Sequence, residues 1–97
     1  MRPIDAGWRY ARATGDLKVR EGGGVVHAAV LNPGSTAGTV TLYDGADESG
    51  TVMATFTVGT TAQVFGPVCV TLDVAFSAGL YVGFDDNFDG SVTVAYA

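Results

Sequence analysis

The chain holds a single cysteine, Cys69, and a single histidine, His27, which excludes an internal disulfide framework and any zinc site built on the usual Cys/His spacing. Apolar runs are short, well below the roughly 18 residues that span a bilayer, so no membrane partner is expected. The opening Met1-Arg2-Pro3-Ile4-Asp5 has no apolar stretch of the signal-peptide kind, which points to a soluble protein made in a cytoplasm. Helical periodicity is missing throughout, because apolar residues do not recur at spacings of three and four. Charge is also scarce, at 15 % of residues against 47 % hydrophobic, and this balance excludes intrinsic disorder. Ninety-seven residues supply one modest core, and with no covalent staple in view, assembly with copies of itself or a larger partner is the expected supplement.

What the chain does have is alternation. From Val68 to Phe76, Val68, Val70, Leu72, Val74 and Phe76 fall on one face and Cys69, Thr71, Asp73 and Ala75 on the other. Val40 and Leu42 alternate with Thr39, Thr41 and Tyr43. Val52, Ala54 and Phe56 alternate with Met53, Thr55 and Thr57, and the pattern returns at Leu80, Val82 and Phe84 and at Val92, Val94 and Tyr96. Turn-forming pairs stand between these runs: Asn32-Pro33-Gly34, Asp44-Gly45, Ser49-Gly50, Ala78-Gly79 and Asp89-Gly90. The more continuous apolar run from Val25 to Leu31 predicts a strand in the middle of a sheet. Seven to eight short strands without helices predict an all-β antiparallel sandwich of immunoglobulin-like or jelly-roll type. On this reading residues 24–97 form the sandwich, and residues 1–23 form a basic N-terminal arm or hairpin joined to it by the glycines after Glu21.

Charge is split along the chain. Arg2, Arg9, Arg12, Lys18 and Arg20 all lie in the first twenty positions, opposed there only by Asp5 and Asp16. Residues 21–97 carry eight carboxylates and no lysine or arginine. Such an acidic body repels phosphates, so nucleic acid is not an expected partner. The basic segment, with Trp8 and Tyr10 interleaved, instead predicts docking on an acidic protein surface, the aromatics acting as anchors and the cations setting register. A competing expectation has Trp8 and Tyr10 plugging their own core while the arginines pair with carboxylates of the same chain.

Candidate chemistry is sparse. Asp85, Asn87 and Asp89, followed by Gly90, match the first half of a calcium loop, but the bidentate carboxylate that should close it would fall at Tyr96. An acidic hairpin loop is the expected alternative, and no metal or other cofactor is expected. His27 reads as a core or sheet-face residue and Cys69 as hidden by its valine neighbours. No nucleophile, base and orienting group share a triad-like spacing, so an enzyme is not expected. Tyr43 and Tyr81 alternate away from the apolar residues of their strands and would present outward aromatic surfaces, which makes a carbohydrate-binding adhesion module of a fibre or tail the second functional expectation.

Four segments carry a resemblance: Gly24-Val-Val-His-Ala-Ala-Val-Leu-Asn-Pro-Gly, Gly38-Thr-Val-Thr-Leu-Tyr-Asp-Gly, Asp73-Val-Ala-Phe-Ser-Ala-Gly-Leu-Tyr-Val and Gly90-Ser-Val-Thr-Val-Ala-Tyr. Together they look like the strands of small β-sandwich virion proteins of tailed bacteriophages. The resemblance covers residues 24–97 and implies a capsid decoration or cement protein, a head fibre or a tail component. It also implies localisation in the virion, a major capsid protein or other virion protein as partner, and a homo-oligomer, with a trimer favoured. Residues 1–23 fall outside it.

Overall fold

The structure, a computed structural model, describes residues 8–59 and 68–97. Eight strands occupy them in the order β1 (Arg9–Ala13), β2 (Leu17–Glu21), β3 (Gly24–Asn32), β4 (Gly38–Asp44), β5 (Thr51–Val58), β6 (Val68–Phe76), β7 (Gly79–Phe84) and β8 (Ser91–Tyr96). They form two four-stranded antiparallel sheets, β1-β8-β3-β6 and β2-β7-β4-β5, packed as the β-sandwich the alternation predicts. Only β4 and β5 are both consecutive and paired, so every other connection between described strands carries the chain from one sheet to the other.

The core is where the two inner faces meet. Val26, Ala29 and Leu31 of β3 and Val92 and Val94 of β8 meet Val40 and Leu42 of β4 and Leu80 and Val82 of β7 in one cluster. Phe76 plugs it at the end of β6, and Phe88, from the loop after β7, plugs it where Phe84 stands, the two rings 5.2 Å apart. These apolar faces are what the period of two in the sequence encodes. As expected, β3 is central, with β8 on one side and β6 on the other.

The expectation of a separate arm or hairpin over residues 1–23 is corrected for residues 9–21. β1 and β2 do not pair with each other. β1 pairs with β8 (Ala11 opposite Val94, Ala13 opposite Val92), and β2 pairs with β7 (Leu17 opposite Val82). Their inward residues Ala11, Ala13, Leu17 and Val19 belong to the core or pack against it. Asp16 secures the crossing, its Oδ1 accepting the Phe84 N–H at 2.8 Å. Because only residues 14–16 separate β1 from β2, the two edge strands lie on the same side of the sandwich.

β6 departs from a simple alternating strand. It is an edge strand, so Val68 and Val74 remain 47 % and 39 % exposed, and Cys69, expected to be hidden, is exposed. Between Val26 and Ala28 the register of β3 shifts against both of its neighbours, a bulge that leaves Leu72 and Asp73 of β6 facing the single residue His27. Asp73 takes a φ of 52°, a left-handed conformation that aspartate tolerates better than most side chains.

Candidate functional site

The flank formed by β1 and β2 gathers every lysine and arginine among the described residues: Arg9, Arg12, Lys18 and Arg20. Arg2 lies outside the described residues. Local contacts absorb two of these four. Lys18 Nζ lies 2.6 Å from Glu21 Oε1, which holds the exposed Glu21 carboxyl below its usual range, and Arg20 Nε donates to the Gly23 carbonyl at 3.0 Å. Arg9 and Arg12 make no ion pair among the described residues; Asp5, the other carboxylate of the basic segment besides Asp16, lies outside them. Nor do the aromatics plug the core, a place taken by Phe76 and Phe88. Tyr10 is 78 % exposed and Trp8 40 %.

Trp8 is nonetheless held in place. Its ring stacks on His27 with centroids 4.4 Å apart and planes 17° from parallel, and His27 Nδ1 lies 2.5 Å from Asp73 Oδ1. An ionised carboxylate accepts only, so Nδ1–H of the imidazole is the donor in this hydrogen bond to Asp73. The bulge opposite His27 is what brings a residue of β3 and one of β6, 46 positions apart in sequence, to a single spot on the outer sheet face. His27 is therefore the sheet-face residue that was anticipated, and its partner and the stacked indole are added by the fold. Replacing His27 with alanine should free the only tryptophan of the chain: its emission should shift to the red and its quenching by acrylamide should rise, with the far-ultraviolet dichroism unchanged. Unchanged emission would show that the stack does not restrain Trp8 in solution.

The carboxylates of the calcium-like loop diverge. Asp85 accepts N–H groups from Thr39 (2.8 Å), Asn87 (3.0 Å) and Phe88 (2.8 Å), while Asp89 turns to the Thr36 N–H (3.0 Å) and the Ser35 hydroxyl. The Asn87 backbone N–H serves the Asp85 cap. At the opposite end, Asp44 accepts from the Ser77, Ala78 and Gly79 amides and clamps the turn between β6 and β7. These N–H donors hold the carboxyls of Asp44, Asp85 and Asp89 below the ordinary aspartate value, with the Ser35 hydroxyl the leading cause at Asp89. Among the described residues no group of three or more His, Cys, Asp or Glu side chains converges as a metal ion would require.

On the other sheet, Tyr43 and Tyr81 face each other across the β4–β7 pair, ring centroids 6.1 Å apart and tilted by 58°. Alternation alone places both on the outer face; their adjacency comes from strand pairing. No family model matches the chain, and no curated protein or solved structure matches it either.

Proposed function

We propose that this is a non-enzymatic assembly protein that docks through its β1–β2 flank onto an acidic protein surface, with Trp8 and Tyr10 as anchors and Arg9 and Arg12 as charged contacts. The setting implied by the strand segments is a phage particle, where such a protein decorates or cements the capsid as a homo-oligomer and binds a major capsid protein or other virion protein. One observation carries the docking reading: two exposed aromatics stand beside two arginines that have no ion pair among the described residues. Tryptophan, tyrosine and arginine are the side chains that dominate binding energy at protein interfaces. An edge strand adds unpaired backbone groups, which suit contact with a second chain. The acceptor can be a capsid subunit or the exposed Asp47 and Glu48 of a neighbouring copy.

Two measurements test this. Quantitative mass spectrometry of purified particles should find the chain in a simple ratio to the shell subunit; its absence would remove the virion setting. Tyr10→Ala combined with Arg12→Glu should weaken attachment or self-association by ~2 kcal/mol or more, roughly thirtyfold in dissociation constant. The attraction should fade between 0.1 M and 1 M salt, as the screening length drops from about 10 Å to about 3 Å. Unchanged binding by the double variant at low salt would show that the flank is not the docking surface.

A further inference from the structure

The outer face of the β2-β7-β4-β5 sheet carries a second feature, independent of the flank. Next to Tyr81 on the outward side of β7 stands Gly83, paired with Thr41 of β4. Beside it lies a concavity of about 150 Å³ lined by Thr39, Thr41, Tyr43, Glu48 and Asp85. Tyr43 and Glu48 lean over the glycine: a Cβ at position 83 would lie 2.9 Å from Tyr43 Cε1 and 3.0 Å from Glu48 Oε2. Tyr43 is the tyrosine of the lining, and Tyr81 stands behind it, outside the hollow, the two ring centroids 6.1 Å apart. Exposed Thr55 and Thr57, opposite Thr41 and Thr39, continue a hydroxyl-bearing floor along the sheet.

The lining selects a ligand class. It contains no lysine or arginine to neutralise an anion. Asp85 already accepts three backbone N–H groups, whereas Glu48 has no hydrogen-bond partner among the described residues and can accept from paired hydroxyls. One free carboxylate does not make a calcium site, which takes six to eight oxygens. Tyr81, behind Tyr43, is a phenol and an O–H donor at neutral pH, and burial and the nearby carboxylates of Asp16, Glu48 and Asp47 push its pKa further upward. An aromatic wall facing C–H groups, threonine hydroxyls and one free carboxylate suit the mixed apolar and hydroxylated faces of a sugar. The volume is below that of sites for drug-sized ligands and fits a single ring.

We propose that this hollow is a binding subsite for an uncharged pyranose ring, with Tyr43 as the stacking surface, Glu48 as the acceptor for sugar hydroxyls, and Thr39 and Thr41 as further polar contacts. The ring belongs either to a free saccharide or to a neutral surface polysaccharide.

Saturation-transfer NMR and calorimetry on the full chain test it, using methyl glycosides of neutral hexoses and N-acetylhexosamines, an immobilised neutral polysaccharide and sialyllactose as the anionic control. Saturable binding to at least one neutral sugar is expected, weakened about tenfold by Tyr43→Ala, in line with an aromatic contact near 1.4 kcal/mol. Glu48→Gln, on an exposed turn where folding is not at stake, should weaken it severalfold, and Tyr10→Ala should leave it unchanged. Binding to the polysaccharide but not to the glycosides would assign the site to a surface polymer, and the reverse to a free sugar. The proposal fails if no neutral sugar binds in either form, if sialyllactose is preferred, or if both Tyr43→Ala and Glu48→Gln bind like the parent.

Discussion

Truncating Leu42 to alanine is expected to cost about 2–5 kcal/mol, out of a total stability for a domain of this kind of about 5–15 kcal/mol. Leu42 is fully buried in β4, opposite Ala54 on one side and Val82 on the other, and Leu80 is equally buried on the neighbouring strand. Such a site collapses poorly around a missing isobutyl group, because β4 is hydrogen-bonded along both edges and cannot move in to fill the gap. With a single cysteine, no internal disulfide offsets the loss. For a domain near 100 residues each 1 kcal/mol shifts the melting temperature by about 4–8 °C, so the drop should be roughly 10 °C or more. Val52→Ala provides the contrast: Val52 is 56 % exposed at an edge strand, and its loss should stay within about 0.5 kcal/mol. Denaturant unfolding of both variants checks the ordering. A Leu42→Ala midpoint no lower than that of Val52→Ala would place the core elsewhere.

How far the fold was legible depended on whether the deciding contacts were local. The burial of β4 follows the alternation of its own residues, and β6 has the limits that alternation predicts, although its edge position and the bulge break the burial pattern within it. In β1 and β2 the inward residues Ala11, Ala13, Leu17 and Val19 also alternate, but residues 1–23 read as an arm or hairpin. Their charges suggested a detached arm, and two alanines are a faint apolar signal. Pairing of β1 with β8 and of β2 with β7 joins opposite ends of the chain, which no short-range pattern encodes. The same holds for the functional surfaces. Asp85 and Asp89 have calcium-like spacing, yet their oxygens are claimed by amides of Thr39 and Thr36, residues some 50 positions earlier. His27 meets Asp73 only through a bulge. The outward direction of Tyr43 and Tyr81 was readable from alternation; the glycine beside them gained meaning only once β7 lay against β4.

The four carboxylates that cap loops make acid the condition to which this fold should respond most. Asp44, Asp47, Asp85 and Asp89 all have their carboxyls held below the ordinary aspartate value: Asp44 chiefly by the Ser77 amide, Asp47 by the Ser49 hydroxyl, Asp85 by the Phe88 amide and Asp89 by the Ser35 hydroxyl. In the unfolded chain these groups return to about 3.9. The folded form therefore holds the proton less tightly, and the stabilisation is fully present above the unfolded value. It is lost as pH falls from there through the depressed folded values. Melting temperature should thus be nearly flat from neutral pH down to about pH 5 and fall steeply below about pH 4. Asp44 is the most informative residue to change, because one carboxylate serves three successive amides at the β6–β7 turn. An asparagine there keeps the shape but has one acceptor oxygen in place of two, and it does not titrate. Asp44→Asn should melt lower than the parent at pH 7, and the gap should close as the solution is acidified through the region where the parent's carboxyl takes up its proton. Thermal melts of both proteins by circular dichroism between pH 7 and pH 2 provide the measurement. Curves that run parallel over that range would mean that Asp44 binds its proton equally well folded and unfolded, and that the amide clamp does not contribute to stability through its charge.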